Sequence, residues 1–136
     1  MRDPHLIRFP KLGAPEIGYI SVTERTELVP FEVQRIFWTY YTPESIVRGR
    51  HAHHRTEQVL VAVSGRITVT TELADGNIQT FRLEDPNMGL YVPPNAWHTM
   101  QYSHSAVQLV MASAIYDEAD YIRRYEQFRE VWKAEQ

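Results

Sequence analysis

Between residues 17 and 113 the chain breaks into short β-forming runs, each closed by a turn signal. About seven or eight such runs, spaced near ten residues, restrict it to a sandwich or barrel. Residues 17–22 and 31–41 are rich in β-branched and aromatic side chains, which suit strands, and Thr42-Pro-Glu-Ser turns the chain after them. Residues 58–63 form an apolar run stopped by Ser64-Gly65, and residues 67–73 alternate as a hairpin partner would. Asp75-Gly76-Asn77 is a tight-turn signal, because Gly and Asn tolerate positive φ. Residues 78–83, 89–92 and 106–113 supply the remaining runs.

The ends differ from the middle. Residues 1–16, punctuated by Pro4, Pro10, Gly13 and Pro15, read as an extended N-terminal arm, and residues 17–116 as the barrel strands. Residues 117–133 read as a C-terminal helix. Tyr121, Ile122, Tyr125, Phe128 and Trp132 share one helical face, and Asp117, Glu118 and Asp120 lie at the end where the macrodipole favours carboxylates. Such a helix is expected to cover one side of the barrel. At 136 residues the chain is expected to form one all-β domain with that single helix.

Composition narrows the function classes. A net charge of −3 argues against nucleic acid as the main partner, although a few arginines suffice to hold one nucleotide. The chain has no cysteine, hence no disulfide framework and no thiolate chemistry. No cationic stretch precedes an apolar leader, and no apolar run has the roughly 18 residues of a membrane span. A cytoplasmic protein with no membrane partner is the expectation.

The chemistry concentrates in His51-Ala-His53, Glu57 and His98. Residues two apart on a strand face one way, so His51 and His53 are neighbours; Glu57 has the same parity, and Pro93-Pro94 marks a turn that returns His98 to them. His54 has the opposite parity and is expected in solvent; His5 and His104 carry no signal. Three imidazoles and a carboxylate suit a divalent transition ion. They equally suit metal-free acid/base work, since the imidazole pKa lies near operating pH. Arg35 and Arg48 are candidates for phosphate. Tyr40, Tyr91 and Trp97 are aromatic enough to flank a sugar or stack on a base, though strand aromatics are more often core.

The spacing H-x-H-x3-E, then G, then G-x3-P-x4-H resembles the two motifs of the cupin superfamily, double-stranded β-helix (jelly-roll) barrels whose four side chains often ligate a metal. The flanking residues are more specific. Arg48-Gly-Arg-His-Ala-His, Glu57-Gln-Val-Leu-Val, Gly89-Leu-Tyr-Val-Pro-Pro, Trp97-His98 and Tyr116-Asp-Glu-Ala-Asp-Tyr-Ile resemble the nucleotide-sugar 3,4-ketoisomerases acting on dTDP-4-keto-6-deoxyglucose. The resemblance runs from about Gly18 to Phe128, with Glu24 and Arg35 also fitting the pattern.

This resemblance implies a barrel with no catalytic metal and no cofactor. His51 and His53 would be the acid/base pair, and Arg35, Arg48, Tyr40, Glu57, Tyr91, Trp97 and His98 the substrate-binding residues. It further implies a dTDP-sugar substrate, a role in making 3-amino-3,6-dideoxy sugars, and a homodimer built through N-terminal strand exchange. Two positions depart from the family pattern. Phe37-Trp38 stands where a Tyr-Tyr pair is usual, leaving Tyr40 or Tyr41 to supply a hydroxyl, and Arg50 precedes the first histidine, where a cation would lower the imidazole pKa values. A metal-dependent cupin enzyme, such as a dioxygenase or another isomerase, and a non-catalytic sugar- or nucleotide-binding cupin are the alternative readings.

Overall fold

The computed structural model describes residues 2–135. The side chains of residues 132–135, including the Trp132 expected on the helix's apolar face, lie outside the described part. In chain order the elements are β1 (His5–Arg8), β2 (Leu12–Ala14), β3 (Gly18–Ile20), β4 (Arg35–Thr39), β5 (Val47–His53), β6 (Gln58–Ser64), β7 (Ile67–Glu72), β8 (Ile78–Leu83), β9 (Met88–Val92), β10 (Trp97–Tyr102), β11 (Val107–Ala112), a 3-10 turn (Glu118–Asp120), β12 (Tyr121–Ile122) and α1 (Tyr125–Glu135).

Two five-stranded sheets, ordered β1-β9-β6-β11-β4 and β12-β5-β10-β7-β8, face one another as a jelly roll, and β2 and β3 form a separate hairpin. Side-chain alternation decides what lies between them. On β6, Leu60 and Ala62 point inward to meet Ile67, Val69, Leu90 and Val110 in the main core. Val59 and Val61 point outward and are covered by Ile7, Phe9, Val29 and Phe31 from the N-terminal third of the chain. Leu60 is wholly buried, and truncating such a side chain to Ala costs about 2–5 kcal/mol.

The ends of the chain are more structured than expected. The arm contributes β1, which pairs with β9, and β2, which pairs with β3. The run at 31–41 is a strand only over Arg35–Thr39, because its first residues leave the sheet to plug the outer core with Phe31. Strand β10 lies where none was expected: its His, Thr and Gln residues obscure the alternation that buries Met100 and Tyr102.

The helix begins at Tyr125, not at residue 117. The Asp117 side chain accepts from the Ala119 amide and caps a 3-10 turn, and the Asp120 carboxylate is taken by the backbone amides of Arg55 and Thr56. Tied there, residues 121–122 pair with β5 as an edge strand and cannot continue a helix. The helix then packs Phe128 onto Ala52, Ile122 and Trp97, covering one side of the barrel as expected.

Candidate active site

Strand β5 carries the paired histidines, and a bulge aims them. Gly49 and Arg50 both have positive φ, 83° and 58°, and Arg50 drops out of the register so that His51 stands opposite His98 while Gly49 stands opposite Thr99. Gly49 is required there, since a Cβ would come within 2.9 Å of the His98 carbonyl oxygen. His98 is in turn opposite Thr71, and His53 is opposite Tyr121. Partners directly across a ladder share a face. The sheet therefore presents Thr71, His98, His51, His53 and Tyr121 to the space between the sheets.

The rings are close. Centroids lie 4.9 Å apart for His51 and His53, 4.6 Å for His51 and His98, and 6.1 Å for His53 and His98. Burial is graded: His98 is 1% exposed, His53 is 3%, and His51 is the most accessible of the three. His51 Nδ1 lies 3.0 Å from the Gly49 carbonyl oxygen, and His98 Nδ1 lies 3.0 Å from that of Ala96. A carbonyl has no proton to give, so Nδ1 is the protonated nitrogen in both rings and Nε2 keeps a free lone pair. His53 Nε2 is buried without a protein partner.

Burial, then the charge on His53, lowers the His51 pKa to about 4, against a smaller raising effect from the Gly49 carbonyl. Burial, then His98, lowers that of His53 to about 3, with Asp120 pulling the other way. Burial and then His51 lower that of His98 to about 3. All three imidazoles are neutral near pH 7. The cations that contribute are Arg35 and Arg123, not Arg50, whose exposed side chain turns back toward the Val47 carbonyl.

The facing sheet sends in Arg35. It lies on the inward row with Ala112 and Gln58, and its guanidinium packs over the Phe37 ring at 5.1 Å and reaches the Tyr121 hydroxyl at 3.5 Å. Tyr121, expected on the apolar face of the helix, belongs to the site instead. Its ring lies 4.4 Å from His53 and 5.1 Å from His51, with Arg123 stacked over it at 4.3 Å. Arg123 is held by both carboxylate oxygens of Glu118, at 2.5 and 2.8 Å. The signal for Tyr121 was the tail motif itself, whose acidic residues resemble a helix start.

Other expected site residues lie elsewhere. Glu57 accepts from the Tyr91 hydroxyl at 2.6 Å, and Tyr91 belongs to the outer core with Val59 and Val61, stacked near His5. Glu57 follows the His51 and His53 parity in number only, because the chain turns between β5 and β6. Trp97 faces the helix, against Tyr125 and Phe128. Tyr40 is exposed and stacks edge-on with exposed Tyr41, so neither supplies the hydroxyl that Phe37 lacks. Arg48, opposite the core residue Met100, shares the sheet face of the histidines but is exposed near the start of β5, where its charge acts on Tyr102. His54 is exposed, as its parity requires.

The four-residue metal set therefore does not assemble. With Glu57 on the other face, no group of three or more His, Cys, Asp or Glu side chains among the described residues is arranged to hold a metal ion. What does assemble is a cluster of three neutral imidazoles with a guanidinium and a phenol beside them.

The chain matches the family model described as "FdtA: WxcM-like, C-terminal" over residues 2–133. It is 42% identical over 114 residues to the TDP-4-oxo-6-deoxy-alpha-D-glucose-3,4-oxoisomerase of Aneurinibacillus thermoaerophilus, covering 82% of this chain and 81% of that one. Its fold superposes with a TM-score of 0.92 on the sugar 3,4-ketoisomerase QdtA of Thermoanaerobacterium thermosaccharolyticum in complex with TDP, at 31% identity over 98% of this chain and 96% of that one. A histidine-to-asparagine variant of QdtA in complex with TDP-4-keto-6-deoxyglucose gives 0.91 at 30% identity, over 98% and 96% of the two chains. The chain belongs to the FdtA (WxcM-like, C-terminal) family, the cupin-fold nucleotide-sugar 3,4-ketoisomerases.

Proposed function

We propose that this protein moves the keto group of dTDP-4-keto-6-deoxyglucose from C4 to C3 through an enediolate. One observation carries the reading: two neutral imidazoles, 4.9 Å apart, face the lumen of the barrel, and the more accessible one keeps its Nε2 lone pair free. The C3 hydrogen is acidified by the adjacent C4 carbonyl. His51 takes it, the electron pair moves through C3–C4 to O4, and the enediolate forms. The O3 hydroxyl then loses its proton as a proton is delivered to C4, and His53 manages the proton at C4 or O4. The sum removes hydrogens from C3 and O3 and places them on C4 and O4, so no hydride acceptor is needed. Imidazole performs both halves because, neutral at pH 7, it has a lone pair to accept a proton, and its lowered pKa makes it release that proton readily once charged.

The substrate class is supported by relatives whose names and ligands are TDP and TDP-4-keto-6-deoxyglucose. Arg48, exposed on β5, is the proposed diphosphate partner, because a guanidinium pairs bidentately with phosphate oxygens. A 3-keto product is what an aminotransferase needs to make a 3-amino-3,6-dideoxy sugar. A cytoplasmic compartment belongs to the same proposal; a cysteine-free chain needs no oxidising environment.

The assembly we propose is a homodimer. Trp38 is 61% exposed and Ile36 53% on the outer face of edge strand β4, and Ile20 on the β2–β3 hairpin is 68% exposed. Beside them runs a groove of about 500 Å³ lined by Phe9, Tyr19, Val61, Leu109 and Met111. Such an apolar face favours self-association. Strand β1 here pairs with β9 of its own chain, and exchange would seat it on β9 of a partner.

The test is incubation with dTDP-4-keto-6-deoxyglucose in D2O, followed by NMR of the sugar ring. A 3-keto product with deuterium at C4, and recovered substrate with deuterium at C3, both undiminished by EDTA, are expected. Absence of both product and exchange would sink the isomerase reading, and loss of activity to EDTA would sink the metal-free mechanism.

A further inference from the structure

We propose that Tyr121 and Arg35 form the donor pair for the enediolate oxygens, a role that rests on the isomerase reading above. When the C3 proton leaves, negative charge spreads over two oxygens on one edge of the sugar ring. The imidazoles of His51 and His53 move protons, and His98 spends its one N–H on the Ala96 carbonyl and has none to offer an oxygen. Something else must hold that charge, and hydrogen-bond donors aimed at developing oxyanions do so most effectively in a site closed to water.

Arg35 and Tyr121 come from opposite sheets and meet. Arg35 stands on β4, Tyr121 on β12, and an Arg35 terminal nitrogen donates to the Tyr121 oxygen at 3.5 Å. That contact occupies the acceptor side of the phenol and leaves its proton for another acceptor. Arg35 Nε is buried and has no protein partner. A buried guanidinium N–H without an acceptor is rare and calls for an explanation. Both donors thus have a vacancy, and an anionic oxygen between the sheets would fill both.

The position of the phenol is also set relative to the proton-moving groups. The Tyr121 ring contacts both His53 and His51, and backbone pairing with β5 fixes its register. Asp120, the preceding residue, anchors that register by accepting from the Arg55 and Thr56 amides. Phe37 lies under Arg35 and offers no hydroxyl, and Tyr116, which also lies against Arg35 and Tyr121, is exposed and gives its hydroxyl proton to Glu118, which leaves Tyr121 as the phenol with a proton to donate.

Tyr121→Phe keeps the ring on both imidazoles and removes only the hydroxyl. The expected result is a kcat lower by about 100-fold with KM within about threefold of wild type. Deuterium wash-in at C3 should fall in step with kcat, because the barrier to the enediolate itself rises. A role in packing alone predicts a Tyr121→Phe enzyme close to wild type. Arg35→Lys, which keeps the charge but loses the Nε–H, should show the same joint loss and serves if the first variant does not fold. Wild-type turnover with Tyr121→Phe within about threefold in both readouts would overturn the donor role alone. No turnover by the wild type would overturn the isomerase reading, and this proposal with it.

Discussion

Thr56 gives both its backbone amide and its hydroxyl to one oxygen of the buried Asp120 carboxylate. Burial works to raise the Asp120 pKa, but the bonds from Thr56 and Arg55 outweigh it and hold the carboxyl below its usual range. This bond set ties the segment after β11 to the end of β5, and Tyr121 reaches the histidines only because Asp120 is held there.

Asp120→Ala leaves donors of Arg55 and Thr56 without their acceptor. The expected loss is about 3 kcal/mol, read as a lower urea midpoint. Activity should fall further than the stability loss accounts for, since β12 is released from β5. An Asp120→Ala protein with wild-type urea midpoint would show that the bond set contributes nothing to stability.

His51→Asn removes the accessible base while keeping a polar side chain of similar reach. We expect isomerisation and C3 deuterium exchange to fall together by about 10²–10⁴-fold, with dTDP affinity retained. Full exchange in this variant would remove His51 from the role of C3 base.

The pH dependence follows from the depressed imidazole values. A base with pKa about 4 stays neutral in mild acid, so kcat/KM should hold through pH 5–6, with an acid limb well below the 6.5 of a free imidazole. Stability moves in a definite direction. The folded-state values of about 4, 3 and 3 lie below the unfolded value of 6.5, so between them the unfolded chain binds more protons. Stability is complete above about pH 6.5 and is lost as pH falls toward the folded values. Urea titrations at pH 7, 6 and 5, run beside the rate profile, measure both; a midpoint that rises with acid would contradict the buried, neutral state of these rings.

Trp38→Glu places a charge on the exposed outer face of β4. The wild type should sediment as a dimer at micromolar concentration and the variant as a monomer. A monomeric wild type would end the dimer proposal.

The strand cadence, the apolar run of β6, the alternation of β7 and the facing of His51 and His53 were legible in the sequence, because each depends on local patterning along one strand. Glu57 was misplaced for the complementary reason. Parity holds along one strand, and the turn between β5 and β6 resets it, sending Glu57 to Tyr91 on the outer face. The tail was misread where local and long-range forces compete. Asp117, Glu118 and Asp120 satisfy the pattern of a helix start, but the amides of Arg55 and Thr56, more than sixty residues away in sequence, take the Asp120 carboxylate and make the next two residues a strand.

The amino-acid sequence by itself determined the all-β class, the family and the histidine pair, since these follow from short-range patterning and motif identity. Only the tertiary structure decided which groups share the lumen with that pair. Arg35 and Tyr121 are 86 residues apart and come from opposite sheets, and their meeting depends on how the two sheets pack, which no local pattern encodes.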